Sequence, residues 1–296
     1  MIRILLLLLS VLGYTIWVSP APAGERCVTD DAGRDVCLEA PAERIVALSP
    51  GATELLFAAG AGEAVVAAVS HADYPEAAQE LPRVGSYDRL DLESIAAQLP
   101  DLVVGWISGN PGAQFERLEG LGFTLYLSEP RSLDDVASTV ERLGRLAGTD
   151  TAAQEAAADF RRRRAELADT YADREPVRVF YQIWPDPLMT VNDEQIISES
   201  IRLCGGENVF GDSASLAPRL DRESVLAADP EAIVAGGMGD SDRSWLDGWR
   251  RFDGMTAVAR DNLFFVEPST IQRPTPRILV GTETLCEKLE KARARR

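Results

Sequence analysis

The chain of 296 residues is poor in the groups that much protein chemistry depends on. It has a single histidine, which excludes most zinc sites, since these usually draw on two or three. No Gly-x-Ser-x-Gly elbow, phosphate-binding P-loop or Gly-x-Gly-x-x-Gly fingerprint occurs; Gly236-Gly-Met-Gly-Asp is glycine-rich but lacks that spacing. With no catalytic constellation, no enzyme activity is expected, and neither a cofactor nor a bound metal. Basic residues are outnumbered 30 to 47, a formal charge of -17 that repels nucleic-acid backbones and anionic lipid surfaces. Beyond residue 20 no apolar run is long enough to span a bilayer.

What is present reads as an exported globular protein. Met1-Ile2-Arg3, an apolar run from Ile4 to Val18, and small residues at Ala21 and Ala23 form a signal-peptide pattern with cleavage after Ala23. The run is roughly 15 residues against about 20 for a spanning helix, which disfavours the alternative of a retained anchor. Residues 1–23 are therefore assigned to the signal peptide, and the mature chain is expected to be exported.

Export turns the four cysteines into candidates for disulfides. Three connectivities are available. Cys27 and Cys37 bracket an Asp-Asp-Ala-Gly turn, so their pairing closes a hairpin locally and leaves Cys204 with Cys286; free buried thiols are the alternative.

Strand-like runs alternate with helical ones. Arg44-Ile-Val-Ala-Leu-Ser-Pro, Val65 to Val69, Leu102-Val-Val and Phe123-Thr-Leu-Tyr-Leu form one series; Val177-Arg-Val-Phe-Tyr-Gln-Ile, Ala232-Ile-Val-Ala and Leu263-Phe-Phe-Val form a second. Such alternation predicts parallel sheets covered by helices on both faces. Between the series lie helices from Ser132 to Leu146 and, after Gly148, from a capping box at Thr151-Ala-Ala-Gln154 to about Tyr171. The run Arg161 to Arg164 reads as a solvated face, and Cys204-Gly-Gly-Glu-Asn as a helix end followed by a turn. The predicted fold is α/β: a lobe at 24–131, a helical region with an inter-lobe backbone helix at 132–173, and a second lobe at 174–296.

An internal echo links the lobes. Asp91-Leu-Glu93-Ser-Ile-Ala-Ala-Gln-Leu-Pro100-Asp-Leu-Val-Val104 aligns without gaps with Asp221-Arg-Glu223-Ser-Val-Leu-Ala-Ala-Asp-Pro230-Glu-Ala-Ile-Val234. Glu93 and Glu223 sit in first helical turns, where a carboxylate favours the helix dipole. As a pair they also form two anionic knobs able to meet arginines of a partner. His71, Tyr87, Trp106 and Trp184 fall in segments after strands, where ligands bind in parallel α/β sheets, and predict a cleft lined by flat amphipathic surfaces.

With Asp73-Tyr-Pro, Pro100-Asp-Leu-Val-Val-Gly-Trp-Ile-Ser-Gly-Asn, Cys204-Gly-Gly-Glu-Asn-Val-Phe and Gln272-Arg-Pro-Thr-Pro-Arg-Ile, the mature chain resembles the periplasmic substrate-binding proteins of ABC importers whose lobes are joined by a helical backbone. Its nearest resemblance there is to the cobalamin-binding members. That resemblance implies capture of cobalamin or a related corrinoid by a protein acting as a monomer, and delivery to a permease dimer docked through Glu93 and Glu223. It also implies a Cys204–Cys286 bond, and cleft roles for Trp106 and Arg273. His71 and Tyr87 replace a tyrosine and a tryptophan of the family pattern, Ala217 another tryptophan and Ser269 an aspartate, so the exact guest is open; His71 could hydrogen-bond the guest or approach its cobalt. Haem or a ferric siderophore is the alternative cargo, although Arg273 and Arg89 are the only basic residues expected near the cleft. An exported α/β enzyme is the remote third reading.

Overall fold

The computed structural model describes residues 25–237 and 243–296; the signal-peptide assignment and its cleavage point lie outside them. The described chain opens with a hairpin of β1 (Arg26–Thr29) and β2 (Asp35–Leu38), in which Cys27 lies directly opposite Cys37 and is bonded to it. Buried Asp30 shapes the turn. It accepts from the Ala32 and Arg34 amides at 3.0 and 2.9 Å, from the Arg34 side chain, and from Leu127 N–H at 3.1 Å, which pins the hairpin to the first lobe.

That lobe contains β3 (Ile45–Ala47), α1 (Pro50–Ala58), β4 (Val65–Ala68), a small hairpin of β5 (Gly85–Ser86) and β6 (Arg89–Leu90), α2 (Leu92–Ala97), β7 (Leu102–Trp106), α3 (Gly112–Gly120) and β8 (Leu125–Ser128). Helices α4 (Leu133–Ala147) and α5 (Asp150–Tyr171) follow. The second lobe contains β9 (Val177–Gln182), a hairpin of β10 (Trp184–Pro185) and β11 (Leu188–Met189), α6 (Ile196–Leu203), β12 (Gly206–Asn208), α7 (Arg222–Ala228), β13 (Ala232–Ala235), α8 (Ser244–Asp247), α9 (Thr256–Ala259), β14 (Leu263–Phe265), α10 (Pro268–Ile271) and α11 (Ile278–Ala294).

The two four-stranded sheets are wholly parallel and share one topology. Their orders are β4-β3-β7-β8 and β12-β9-β13-β14; in each, the strands lie second, first, third, fourth by position in the chain. The echoed segments are therefore equivalent elements, α2 leading into β7 and α7 into β13. Asp91 and Asp221 cap them alike, accepting from Ser94 N–H at 3.0 Å and Ser224 N–H at 2.7 Å. Alternate strand residues face opposite layers. In the first sheet Ile45, Ala47 and Val104 pack with α1 and α4, while Val46 and Val103 pack with Ile95 and Leu118 from α2 and α3.

Three local expectations are corrected. Cys204-Gly-Gly-Glu-Asn is not only a helix end and turn: after Gly205 at φ 67°, residues 206–208 form edge strand β12, whose three residues carry no apolar alternation to announce it. The Thr151 capping box is absent. Helix α5 begins at Asp150, and the hydroxyl of its N-cap Thr149 donates to Ala59 O at 2.6 Å instead; the capping box belongs to α4, between Ser132 and Asp135. The arginine run is no simple solvated face either. Arg161 pairs with Glu141 at 2.6 Å, bracing α4, and Arg164 with Glu199 of α6 at 2.9 Å.

Helix α5, about 33 Å long at 1.5 Å per residue, connects the lobes. Its buried Ala153, Ala157 and Phe160 belong to one apolar cluster that contains residues of both sheets. Glu199 strengthens the joint, accepting from Leu133 N–H at the start of α4 at 2.6 Å as well as from Arg164. At the far end, buried Cys204, the C-cap of α6, is bonded to Cys286 of α11.

Candidate ligand-binding site

A cavity of about 580 Å³ lies between the lobes, at the carboxyl ends of strands from both sheets, where the backbone of a parallel sheet turns outward and frees its loops. Ser49, Trp106 and Ser128 come from the ends of β3, β7 and β8; Trp184, Gly237 and Ser269 follow β9, β13 and β14. All five residues expected to bind the ligand — His71, Tyr87, Trp106, Trp184 and Arg273 — line this one space.

Its aromatic walls are braced from behind. Tyr87, at the turn of the β5–β6 hairpin, lies 5.8 Å from Trp106 with the rings tilted at 48°. Buried Asn110 holds that pair: it accepts from Trp106 N–H at 2.7 Å and donates to Tyr87 O at 2.6 Å and Leu48 O at 2.9 Å. Gly109 is needed beneath Trp106, because a Cβ there would lie 1.9 Å from the indole. On the opposite wall Trp184 packs edge-on to buried Trp245 at 5.9 Å, and its indole N–H donates to Asp186 O at 3.1 Å. Tyr87 and Trp184 each keep 42% of their surface exposed, so flat faces remain open to a guest.

The floor is electrostatic and joins the lobes. Glu54 of α1 is buried, with 3% exposed, yet accepts three bonds from the segment between α10 and α11: Arg273 Nη1 at 2.8 Å, Thr275 Oγ1 at 2.8 Å and Arg277 Nη1 at 3.3 Å. Buried charges persist when paired in this way. Arg273 Nη1 also donates to Asp73 Oδ1 at 2.7 Å, and Arg277 stacks over Tyr74 at 4.2 Å. Burial opposes ionisation of Asp73, but the hydrogen bond and charge of Arg273 prevail and lower its pKa. Burial likewise works against the Arg273 cation, while Asp73 and Glu54 raise its pKa.

His71, at the positive φ of 64°, lines the cavity and is exposed. Arg89 stands exposed on β6 and does not line the cavity; neither does Ala217. Sequence reasoning did not single out Glu54, Asn110 or Gln272; apart from the Trp106 N–H bonded to Asn110, the partners lie far off in sequence. Glu93 and Glu223 are not in the cleft. Both are exposed at the N-termini of α2 and α7, helices that run back along the sheets and so begin at the cleft end. The cleft thus presents open aromatic faces above a closed ion cluster.

Comparison with known proteins agrees with this architecture. Residues 45–270 match the family model described as periplasmic binding protein. The chain belongs to that family. This periplasmic binding protein is 37% identical over 253 residues to the vitamin B12-binding protein of Vibrio cholerae serotype O1 (strain M66-2), covering 84% of this chain and 90% of the relative. It is 35% identical over 248 residues to the vitamin B12-binding protein of Yersinia pestis (strain Pestoides F), covering 84% and 86%. Among solved structures, the periplasmic vitamin B12 binding protein BtuF of Vibrio cholerae superposes with a TM-score of 0.79 at 37% identity, over 86% of this chain and 98% of that one. The periplasmic heme-binding protein RhuT of Roseiflexus sp. RS-1, in apo form, gives 0.76 at 25% identity, over 84% and 98%.

Proposed function

We propose that this periplasmic binding protein captures cobalamin or a closely related corrinoid between its lobes and carries it to an ABC importer. The observation that carries the reading is the cleft itself: Tyr87 and Trp106 on one wall, Trp184 on the other, over a floor whose arginines are already paired. A corrinoid is a broad, largely apolar disc edged with amides. Aromatic faces cover such a disc, while backbone groups and short polar side chains such as Ser269 and Gln272 meet its edge. The likeness to vitamin B12-binding proteins over most of the chain supports the same guest. The corrinoid is cargo, and no resident cofactor is needed.

In this reading the mature protein acts in the periplasm as a single copy, after cleavage behind Ala23. Glu93 and Glu223, exposed on equivalent helices, dock onto arginines of the permease dimer. The joint made by α5, Glu199 and Glu54 restricts lobe motion, so ligand entry produces a small closure. Haem is the second guest to weigh, favoured by the fold shared with the heme-binding protein RhuT.

Titration of the purified mature protein with cyanocobalamin, haemin and a ferric siderophore, followed by tryptophan quenching, tests the assignment. Cyanocobalamin is expected to quench at sub-micromolar concentration, as Trp106 and Trp184 line the cavity. Quenching by haemin at that level with none by cyanocobalamin would replace the corrinoid with haem.

A further inference from the structure

The cleft floor contains four charged side chains in contact: Glu54 and Asp73 from the first lobe, Arg273 and Arg277 from the second. Two carboxylates face two guanidiniums, so the cluster is neutral as a whole. Its members are not equivalent. The Glu54 side chain is sealed, at 2% exposed, with both oxygens occupied by the second lobe; it fastens the lobes and cannot be reached. The Asp73 side chain is 57% exposed and lines the cavity. It meets Arg273 from the cavity side, at 2.7 Å.

Among the described residues that line the cavity, Arg273 is the only arginine or lysine. Its Nη1 is shared between Glu54 and Asp73, and its Nη2 reaches toward His71 O at 3.4 Å. A ligand carboxylate that sought this guanidinium would have to displace Asp73 or settle beside it, meeting a like charge. A guest edged with amides meets no such obstacle, because its carbonyls and N–H groups suit either partner of the pair.

We propose that Asp73 is a specificity-determining residue: by occupying Arg273 it withholds the cation of the cleft from carboxylate-bearing macrocycles and leaves the site to uncharged, amide-edged ones. The proposal deepens the corrinoid reading above and gives it a cause, since the fold also serves haem, a disc of similar breadth with two propionates. Specificity here comes from a repulsive element as much as from attraction.

The test compares haemin with haemin dimethyl ester, which differ in the carboxylates alone, by tryptophan quenching of the wild type, Asp73→Asn, and Asp73→Asn combined with Arg273→Gln. Asp73→Asn is expected to raise haemin affinity about tenfold, and ester affinity less than about threefold. The second change should abolish the gain, because the one arginine that lines the cavity among the described residues is then gone. The equally uncharged Asp73→Ser should give the same ranking, which guards against an effect peculiar to one side chain. Equal gains for haemin and ester, or no gain for haemin in either single variant, would overturn the proposal. Titration of the wild type with cyanocobalamin reads the functional assignment separately: failure there defeats the corrinoid reading while the haemin comparison still decides the role of Asp73.

Discussion

The two lobes fold by one plan and use it differently. Both sheets are parallel with the same strand order, and both enter their third strand from an Asp-capped helix with a glutamate in its first turn. The first lobe is mostly aliphatic on the face away from the shared core, with Val46, Val103, Ile95 and Leu118 fully buried and Phe115 the one buried aromatic of that cluster. The second builds that layer from Phe180, Trp245 and Trp249. The first lobe presents its cleft aromatics on a loop and a strand end cross-tied by Asn110, the second on a hairpin resting upon Trp245. Shared topology places the cleft and the helices that carry Glu93 and Glu223; private packing decides which side chains line the cleft.

Three experiments press on that comparison. The sharpest concerns Glu93 and Glu223. If the lobes dock as equivalents, Glu93→Ala with Glu223→Ala abolishes uptake in cells while cyanocobalamin affinity stays at the wild-type value, and each single change gives a partial loss. Normal uptake by the double variant removes the docking assignment, and a loss confined to one single variant breaks the equivalence.

Next is the clasp between lobes. Glu54→Ala leaves Arg273 and Arg277 without their buried partner, so urea denaturation should show a loss of about 3 kcal/mol, near the low end for a broken buried pair because both arginines keep some contact with water. A change below about 1 kcal/mol would mean that the shared apolar cluster and the Glu199 contacts hold the halves without this clasp.

The smallest effect tests the echo itself. At the residue before the shared proline the backbone has positive φ in both copies, 47° at Leu99 and 39° at Asp229. Asp229 suits that conformation, and its carboxylate takes two bonds from Thr256 at 2.7 Å; Leu99 is 74% exposed. Asp229→Ala should cost about 1.5 kcal/mol and Leu99→Gly should gain about 0.5 kcal/mol. Effects of the same sign would show that the two turns are not matched in strain.

Much of this was legible in the sequence because it is written in local patterns. The alternation of apolar runs announces two parallel sheets, and the ungapped echo marks equivalent helices. The aromatic residues could be placed because ligand loops follow strand ends in such sheets. Edge strand β12 stayed hidden, being three residues long and without apolar character. Glu54 looked like any carboxylate on a helix, since nothing local shows that its partners lie 219 to 223 residues away. Asn110 was invisible for the same reason: its donors and acceptors meet only when three loops converge. Thr149 shows the converse, a residue whose local cap is surrendered to a carbonyl 90 positions earlier.

The apolar cluster that passes from β3 and β4 through α4 and α5 to β9 and β14 has a consequence for how the molecule is lost. Excising either half would strip Phe160, Val140 and their neighbours to solvent, so neither sheet is a portable module. Heat should dismantle the whole in one step, and a protease nick between the halves would expose a common interior instead of freeing two tidy fragments.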